Sequence, residues 1–205
     1  MPIYSEISDF QIVTNRLLFI QNYPPLKSPF HKQARTSTVL HKKQFNMPNF
    51  TLSSPDLKGQ ITKAQVYDGF GAGGDNISPA LHWTDVPAGT KTLLLTCHDT
   101  DAPGPGGWWH WVAFNIPVGI DGLPTNASKE GMPQGSVQIK NSYGETGYGG
   151  ACPPPGDSAH PYVFTLYALK SELSDVDENA SPAMVLFVAA EHIIGKTSIV
   201  AYYAR

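Results

Sequence analysis

The fold is decided by residues 109–116, which read WHWVAFNI. One phase of this stretch consists of His110, Val112, Phe114 and Ile116. Because alternate side chains of a β-strand point to the same face, these four residues are predicted to share one side of a strand. The stretch therefore predicts a strand that carries a histidine on its core-facing side.

Three further stretches have the composition of strands. Residues 91–99 (KTLLLTCHD) form an apolar run that ends in polar groups, and residues 162–169 (YVFTLYAL) are rich in aromatic and β-branched side chains. Residues 197–203 (TSIVAYY) are predicted to form a closing strand. The chain contains 19 Gly and 18 Pro, a composition that favours short strands joined by turns. We therefore predict a mainly β fold with one or two peripheral helices.

One of these helices is predicted to begin after Ser181, which suits the N-cap, with Pro182 at the first helical position. Helical spacing is then kept by Val185, Val188, Ala189, His192 and Ile193. Gly195 is predicted to end the helix. A second, short acidic helix is predicted near residues 171–178.

The N-terminal part of the chain differs from the rest. Residues 1–46 contain no glycine and carry six Lys or Arg against two Asp or Glu, whereas residues 47–205 carry eight against fifteen. We interpret residues 1–46 as a disordered extension, or as sequence upstream of a true start at Met47. Residues 47–205 are predicted to form the one folded domain.

Composition also limits the partners. The acidic body argues against nucleic acid as a partner, because phosphate backbones are bound by clustered Lys and Arg. No apolar stretch reaches the length that spans a bilayer, so no stable membrane insertion is expected. The two cysteines are too few for a disulfide framework, and no signal peptide is readable. We expect a cytoplasmic protein, with a periplasmic location left open.

Three segments end in polar groups that suit one site. Asp99 and Asp101 point to the same side of an extended chain, although an Asp-rich turn is an equal alternative. His110 can bind an anion, but a single histidine on an apolar face is more often a core residue. A Pro- and Gly-rich loop at residues 149–162 leads to His160 and Tyr162, which share a phase and can face one cavity. The glycines of this loop can bring backbone N–H groups close to an anion, and the alternative is that the loop is an ordinary connection.

Taken together, these segments resemble the phosphatidylethanolamine-binding protein family in its bacterial, Raf-kinase-inhibitor-like branch. The resemblance covers residues 47–205. It is carried by DTDAP at residues 99–103, WWHW at 108–111, SAHPY at 158–162, NISPALHW at 76–83, VPAGTK at 86–91 and YGETGYGG at 143–150. The resemblance implies an antiparallel β-sandwich with a small pocket that binds phosphate, acetate or phosphoryl head groups.

The resemblance also implies which residues form the pocket. They are Asp99, Asp101, Pro103, His110, Cys152, Pro153, His160 and Tyr162, with Trp83 and Trp108 as aromatic walls nearby. The two histidines and Tyr162 are expected to donate hydrogen bonds to anion oxygens, and an aspartate to fix an imidazole tautomer. Anion affinity is then expected to rise as the pH falls through the histidine titration. No cofactor is expected.

Further expectations come from the same resemblance. Family members have been linked to kinase inhibition, protease inhibition and lipid head-group binding, so small anions, phosphorylated ligands, a kinase or a protease are the expected partners. Bacterial relatives are often homodimers, which implies a homodimer here. Two alternatives from the residues remain open. One is a hydrolase that uses the Asp and His groups as general acid and base, in which Cys152 beside His160 could also be a nucleophile. The other is a metal site formed by Asp99, Asp101, His110 and His160.

Three positions depart from the family pattern. Thr100 stands where the first motif has a proline, which a turn should tolerate. Ser158 replaces a glycine, which would be strained in a left-handed conformation. Pro161 replaces an arginine, so a bidentate donor and a backbone N–H are lost. These changes place the affinity and orientation of the pocket in question.

Overall fold

The computed structural model describes residues 49–205, so the N-terminal extension predicted at residues 1–46 lies outside the described residues. The strands are β1 (Thr51–Ser53), β2 (Leu81–Thr84), β3 (Thr92–Asp99), β4 (Trp108–Pro117), β5 (Gly122–Leu123), β6 (Val137–Gln138), β7 (His160–Leu169) and β8 (Ile193–Tyr203). The α-helices are α1 (Ala127–Glu130) and α2 (Pro182–Ala189), and short 3-10 helices lie at Lys63–Gln65 and Ala190–His192.

The strands form two antiparallel sheets. The smaller sheet has the order β1-β2-β5, and the larger has the order β6-β4-β3-β7-β8. An inner core of buried side chains joins them, with Leu81 and Trp83 from the smaller sheet and Leu95, Trp111 and Phe164 from the larger. The other face of the larger sheet packs against α2 and forms a second, outer core. The predicted antiparallel β-sandwich with few helices is confirmed.

The strict alternation predicted for residues 109–116 is wrong, because β4 is interrupted twice. At the first interruption Cys97 pairs with Trp111 but His98 pairs with Trp109, so one extra residue, His110, is inserted in β4. Such a bulge turns the following side chains to the opposite face. His110 therefore turns away from Val112 in the outer core and towards the inner side of the sheet.

A second bulge lies at Asn115, where β3 advances two residues from Leu93 to Leu95 while β4 moves three, from Ile116 to Ala113. Asn115 adopts the left-handed conformation, with φ 55°. Ile116 therefore joins the inner core, whereas Phe114 packs in the outer core. The two bulges separate the four residues that the sequence placed in one phase, and this lets one strand serve both cores.

The Asn115→Ala substitution should lower the free energy of unfolding by about 2–4 kcal/mol. Asn115 Oδ1 accepts a hydrogen bond from Leu173 N at 2.9 Å, and Nδ2 donates to Leu173 O at 3.3 Å. Alanine loses both bonds and is strained at positive φ, whereas Asn115→Gly loses only the bonds and should cost about half as much. Urea unfolding of both variants measures the difference. Equal losses would show that backbone strain contributes nothing here.

Helix α2 begins as predicted but ends earlier. The Ser181 side chain accepts a hydrogen bond from Met184 N at 3.2 Å, and Pro182 occupies the first turn. The helix ends at Ala189, and the chain enters β8 at Ile193, before the predicted stop at Gly195. Pairing of residues 193–203 with β7 outweighs the helical spacing of the apolar residues.

Two smaller predictions about helices are corrected. Residues 171–178 contain turns and bends and no helix. Leu173 is buried in the outer core, but its backbone N–H and C=O bond to the side chain of Asn115 and not along a helix. The short helix α1 was not predicted. In residues 49–205 no helix has the length and apolar character needed to cross a bilayer.

Candidate functional site

A cavity of about 270 Å³ lies where β3 ends and where β4 and β7 begin. Antiparallel pairing brings these three strand ends to the same edge of the larger sheet. The cavity is lined by Phe70, Asp99, Ala102, Pro103, Trp108, His110, Tyr143, Cys152, Pro153, Pro154 and His160. The described residues that line it include four polar side chains but no Lys or Arg. Any anion held here is therefore bound by neutral donors or by a protonated imidazole.

Asp99 is the anchor of the site. Its side chain is buried, and Oδ1 accepts hydrogen bonds from the backbone N–H groups of Asp101 at 2.9 Å and Ala102 at 3.1 Å. The other oxygen, Oδ2, accepts a hydrogen bond from His160 Nδ1 at 2.8 Å. The carboxylate thus closes the turn after β3 and fixes the imidazole of His160 with Nδ1 as the protonated nitrogen.

Neither departure near His160 disturbs the backbone there. Ser158 is not among the residues with positive φ, so it needs no glycine. Pro161 pairs with Tyr202, but the N–H and C=O of Tyr202 bond to Gly59 O and Ile61 N, on the other side of β8. Since this register position has no hydrogen bond to lose, proline is accommodated in β7 without cost to the sheet.

His110 enters the cavity because of the bulge in β4. It is 2% exposed, its ring lies 5.0 Å from the ring of Tyr162, and Nδ1 donates to Gly149 O at 2.7 Å. A carbonyl can only accept, so Nδ1 carries the proton and Nε2 is left for a ligand. Burial lowers the pKa of His110 to about 4, although the Gly149 carbonyl and the Asp99 carboxylate oppose the shift. The imidazole is therefore neutral at neutral pH.

Close backbone packing holds Gly149 and Gly150 beside His110. Gly149 N donates to His110 O at 2.8 Å, and Gly150 N donates to Asn76 Oδ1 at 2.8 Å. A Cβ at Gly150 would collide with the backbone of residues 65–67. Glycine at this position lets the loop pack against the backbone of residues 65–67 and keeps the Gly149 carbonyl directed at the imidazole of His110.

Aromatic rings form one wall of the cavity. Tyr143 packs edge-on against Trp108 at 5.2 Å and stacks on Tyr67 at 4.0 Å. Phe70, which is exposed, completes the rim, and its carbonyl accepts a hydrogen bond from Arg205 Nη1 at 3.0 Å. The indole Nε1 of Trp108 is buried without a hydrogen-bond partner. The wall thus offers apolar surface to the cavity.

Several members of this wall were not predicted from the sequence. Tyr143 lies in the quoted YGETGYGG stretch but received no role, and Phe70 lies in the glycine-rich stretch YDGFGAGG at residues 67–74. Ala102 and Pro154 are also part of the lining and were also missed. The only available signal was an aromatic residue next to glycine, on both sides for Phe70 and on one side for Tyr143. This local pattern does not indicate which distant part of the chain the ring packs against.

Seven of the ten predicted residues line the cavity, and three lie elsewhere. Asp101 is exposed, and its carboxylate accepts a hydrogen bond from Thr100 Oγ1. Tyr162 lies beneath His110, and its hydroxyl lies near the backbone of Cys152 without completing a hydrogen bond. Trp83 belongs to the inner core, where its Nε1 donates to Ile120 O at 2.9 Å, so it is not a wall of this cavity.

The two alternative chemistries find little support in the geometry. Among the residues that the structure describes, no imidazole nitrogen forms a hydrogen bond with the thiol of Cys152; His110 and His160 bond through Nδ1 to Gly149 and Asp99. Cys152 as a nucleophile therefore lacks a paired base in this structure. Within residues 49–205 no group of three or more His, Cys, Asp or Glu side chains is arranged to hold a metal ion.

Comparison with known proteins decides the family. The family model described as phosphatidylethanolamine-binding protein matches residues 51–204. The chain belongs to this family. The family predicted from the sequence is therefore confirmed, and with it a ligand-binding protein of general type.

Relatives of this chain occur among curated proteins and solved structures. The UPF0098 proteins YbhB and YbcL of Escherichia coli K12 are 46% and 42% identical to this chain. YbhB is matched over 75% of this chain and 99% of its own length, and YbcL over 75% and 87%. The crystal structure of YbcL, described as a new member of the mammalian family, has a TM-score of 0.74 at 41% identity and covers 76% of this chain and 98% of its own. The homologue CT736 from Chlamydia trachomatis has a TM-score of 0.65 at 30% identity, with 77% and 99% covered.

Proposed function

We propose that this member of the phosphatidylethanolamine-binding family binds small anions or phosphoryl head groups in the cavity at the end of β3. The observation that carries the proposal is the matched anchoring of two histidines. His110 and His160 each use Nδ1 in a hydrogen bond to the protein, to Gly149 O and to Asp99. Both line the same cavity, so Nε2 is the ring nitrogen that each has left for a ligand.

His110 can donate a hydrogen bond to an anion only when its imidazole carries a second proton. Neutral His110 presents the lone pair of Nε2, which repels an anion oxygen, whereas the imidazolium donates a charge-assisted hydrogen bond. Because burial lowers the pKa of His110, its protonation at neutral pH costs free energy in the free protein, and the interaction with a bound anion offsets that free energy.

The aromatic wall supports a ligand with an organic part. Trp108, Tyr143 and Phe70 present apolar surface next to the polar groups at the bottom of the cavity. A phosphoryl monoester places its oxygens at the histidines and its substituent against such a wall. A head group therefore fits the lining better than inorganic phosphate alone.

A titration with phosphate and phosphoethanolamine tests the proposal. We expect saturable amide shifts in NMR spectra around Asp99, His110 and His160 in the full chain, and a loss of affinity of about tenfold or more in His110→Ala, which removes one donor. His82→Ala, an exposed histidine on β2, is the matched control and should leave binding unchanged. Absence of shifts at millimolar ligand, or an equal loss in the control, would contradict an anion site at this cavity.

Other roles remain predictions from the family. Inhibition of a kinase or a protease and a homodimer rest on the resemblance stated above, whereas the cytoplasmic location is a prediction from the sequence itself. Anion binding gives kinase inhibition a chemical basis, since a phosphorylated segment of a partner could present its phosphoryl group to the same histidines.

A further inference from the structure

The imidazole of His160 lies between two carboxylates. Nδ1 donates to Asp99 Oδ2 at 2.8 Å, while Nε2 lies 3.5 Å from Asp157 Oδ2. The His160 side chain is 4% exposed, and that of Asp157 is 44% exposed. The nitrogen that would serve a ligand in the proposed function thus already faces an anionic group of the protein.

The loop before His160 holds Asp157 in this place. Asp157 N donates to Pro154 O at 3.3 Å, and Gly156 N donates to Arg205 O at 2.8 Å. Gly156 has φ 89°, a turn conformation that suits glycine. Together with the proline run at residues 153–155, these bonds fix the backbone, while the exposed side chain of Asp157 is free to rotate towards solvent.

We propose that Asp157 is an internal competitor for the anion site and sets its charge selectivity. The proposal rests on the proposed function. His160 Nε2 can donate to a ligand oxygen only when the imidazole carries a second proton, and that positive charge also attracts the Asp157 carboxylate 3.5 Å away, so ligand and carboxylate compete for it. The displaced carboxylate then lies near the bound anion and repels it, which lowers the affinity for simple anions such as sulfate.

A ligand with a cationic group beside its anion escapes this penalty. The ammonium group of phosphoethanolamine can pair with the displaced carboxylate of Asp157. No Lys or Arg lines the cavity in the described residues, and the guanidinium of Arg205 donates to the carbonyl of Phe70 at the rim. Asp157 would therefore favour zwitterionic head groups over simple anions of similar size. Specificity of this kind arises from an unfavourable contact with the wrong ligand as much as from a favourable one with the right ligand.

The test compares Asp157→Asn with Asp101→Asn in the full chain. Both substitutions remove one negative charge near the cavity, but Asp101 does not contact His160. Sulfate and phosphoethanolamine are titrated at one pH by NMR. We expect sulfate to bind about five- to tenfold more tightly to Asp157→Asn and less than twofold more tightly to Asp101→Asn. Phosphoethanolamine should gain less than sulfate, or lose affinity, in Asp157→Asn.

Each other outcome overturns the inference. Equal gains in the two variants would mean that only net charge matters. An unchanged sulfate affinity in Asp157→Asn, with binding to the unmodified protein intact, would refute the competitor and leave the proposed function standing. No binding of either ligand to any of the three proteins would overturn both.

Discussion

Sulfate is expected to bind about tenfold more tightly for each unit by which the pH falls from about 6 towards 4. The reason is that His110 must gain a proton to donate from Nε2, and its pKa in the free protein is lowered to about 4. Sulfate keeps its charge over this range, so the ligand does not contribute to the slope. Titrations at half-unit steps measure it, and the affinity should become constant once His110 is protonated in the free protein.

The variant His110→Gln provides the control, since an amide cannot take up the proton. Its sulfate affinity should lose the part of the slope that His110 contributes, and an unchanged slope would show that another group, such as His160, takes up the proton. The free energy of unfolding gives an independent check of the direction in which the pKa of His110 is shifted. Because the folded-state pKa lies below the unfolded value, His110 destabilises the fold as the pH falls from about 6.5 to 4, by up to about 3 kcal/mol. His110→Gln should escape that part of the acid destabilisation.

Replacing Asp99 by alanine should have the largest effect on stability, a loss of about 3–5 kcal/mol in the free energy of unfolding. The substitution leaves two part-buried backbone N–H groups, of Asp101 and Ala102, without their acceptor, and it leaves the buried imidazole of His160 without its carboxylate partner. Asp99→Asn keeps an oxygen for the two N–H groups and should cost less than half as much. Urea denaturation at neutral pH provides the measurement.

Asp101→Ala is the matched control for this prediction. Its carboxylate is exposed and accepts one hydrogen bond, from the adjacent Thr100, so its removal should change the unfolding free energy by less than about 1 kcal/mol. Similar losses at the two positions would contradict the assignment of Asp99 as the anchor of the site. Binding follows the same order, because only Asp99 orients His160.

The sequence treated Asp99 and Asp101 as equivalent, and the structure shows why they are not. An extended chain would carry both carboxylates on one side, but the chain turns directly after Asp99, and the turn is made by Asp99 itself. The choice between a turn and a pair of ligands was therefore a false one, since Asp99 takes part in a turn and in the cavity lining at once. The alternation of side chains along a strand cannot predict that one residue has both roles.

His110 was placed near the site for a reason that the structure corrects. The sequence assigned it to the same face as Val112 and Phe114, and only the inserted residue in β4 turns it towards the cavity. The motifs shared with the family indicated the cavity and most of its lining, since short local patterns mark strand ends well. The aromatic wall was missed, because Phe70 and Tyr143 reach the cavity through contacts between distant parts of the chain.

The bulge beside His110 has a consequence for how faithfully the protein folds. If β3 and β4 paired without the inserted residue, Trp109 would take the place of His110, and the cavity would hold an indole where it needs an imidazole. On the proposed function, only the chain in the correct register presents His110 to an anion. Ligand in the medium would therefore stabilise the correctly paired sheet and not the sheet in the shifted register.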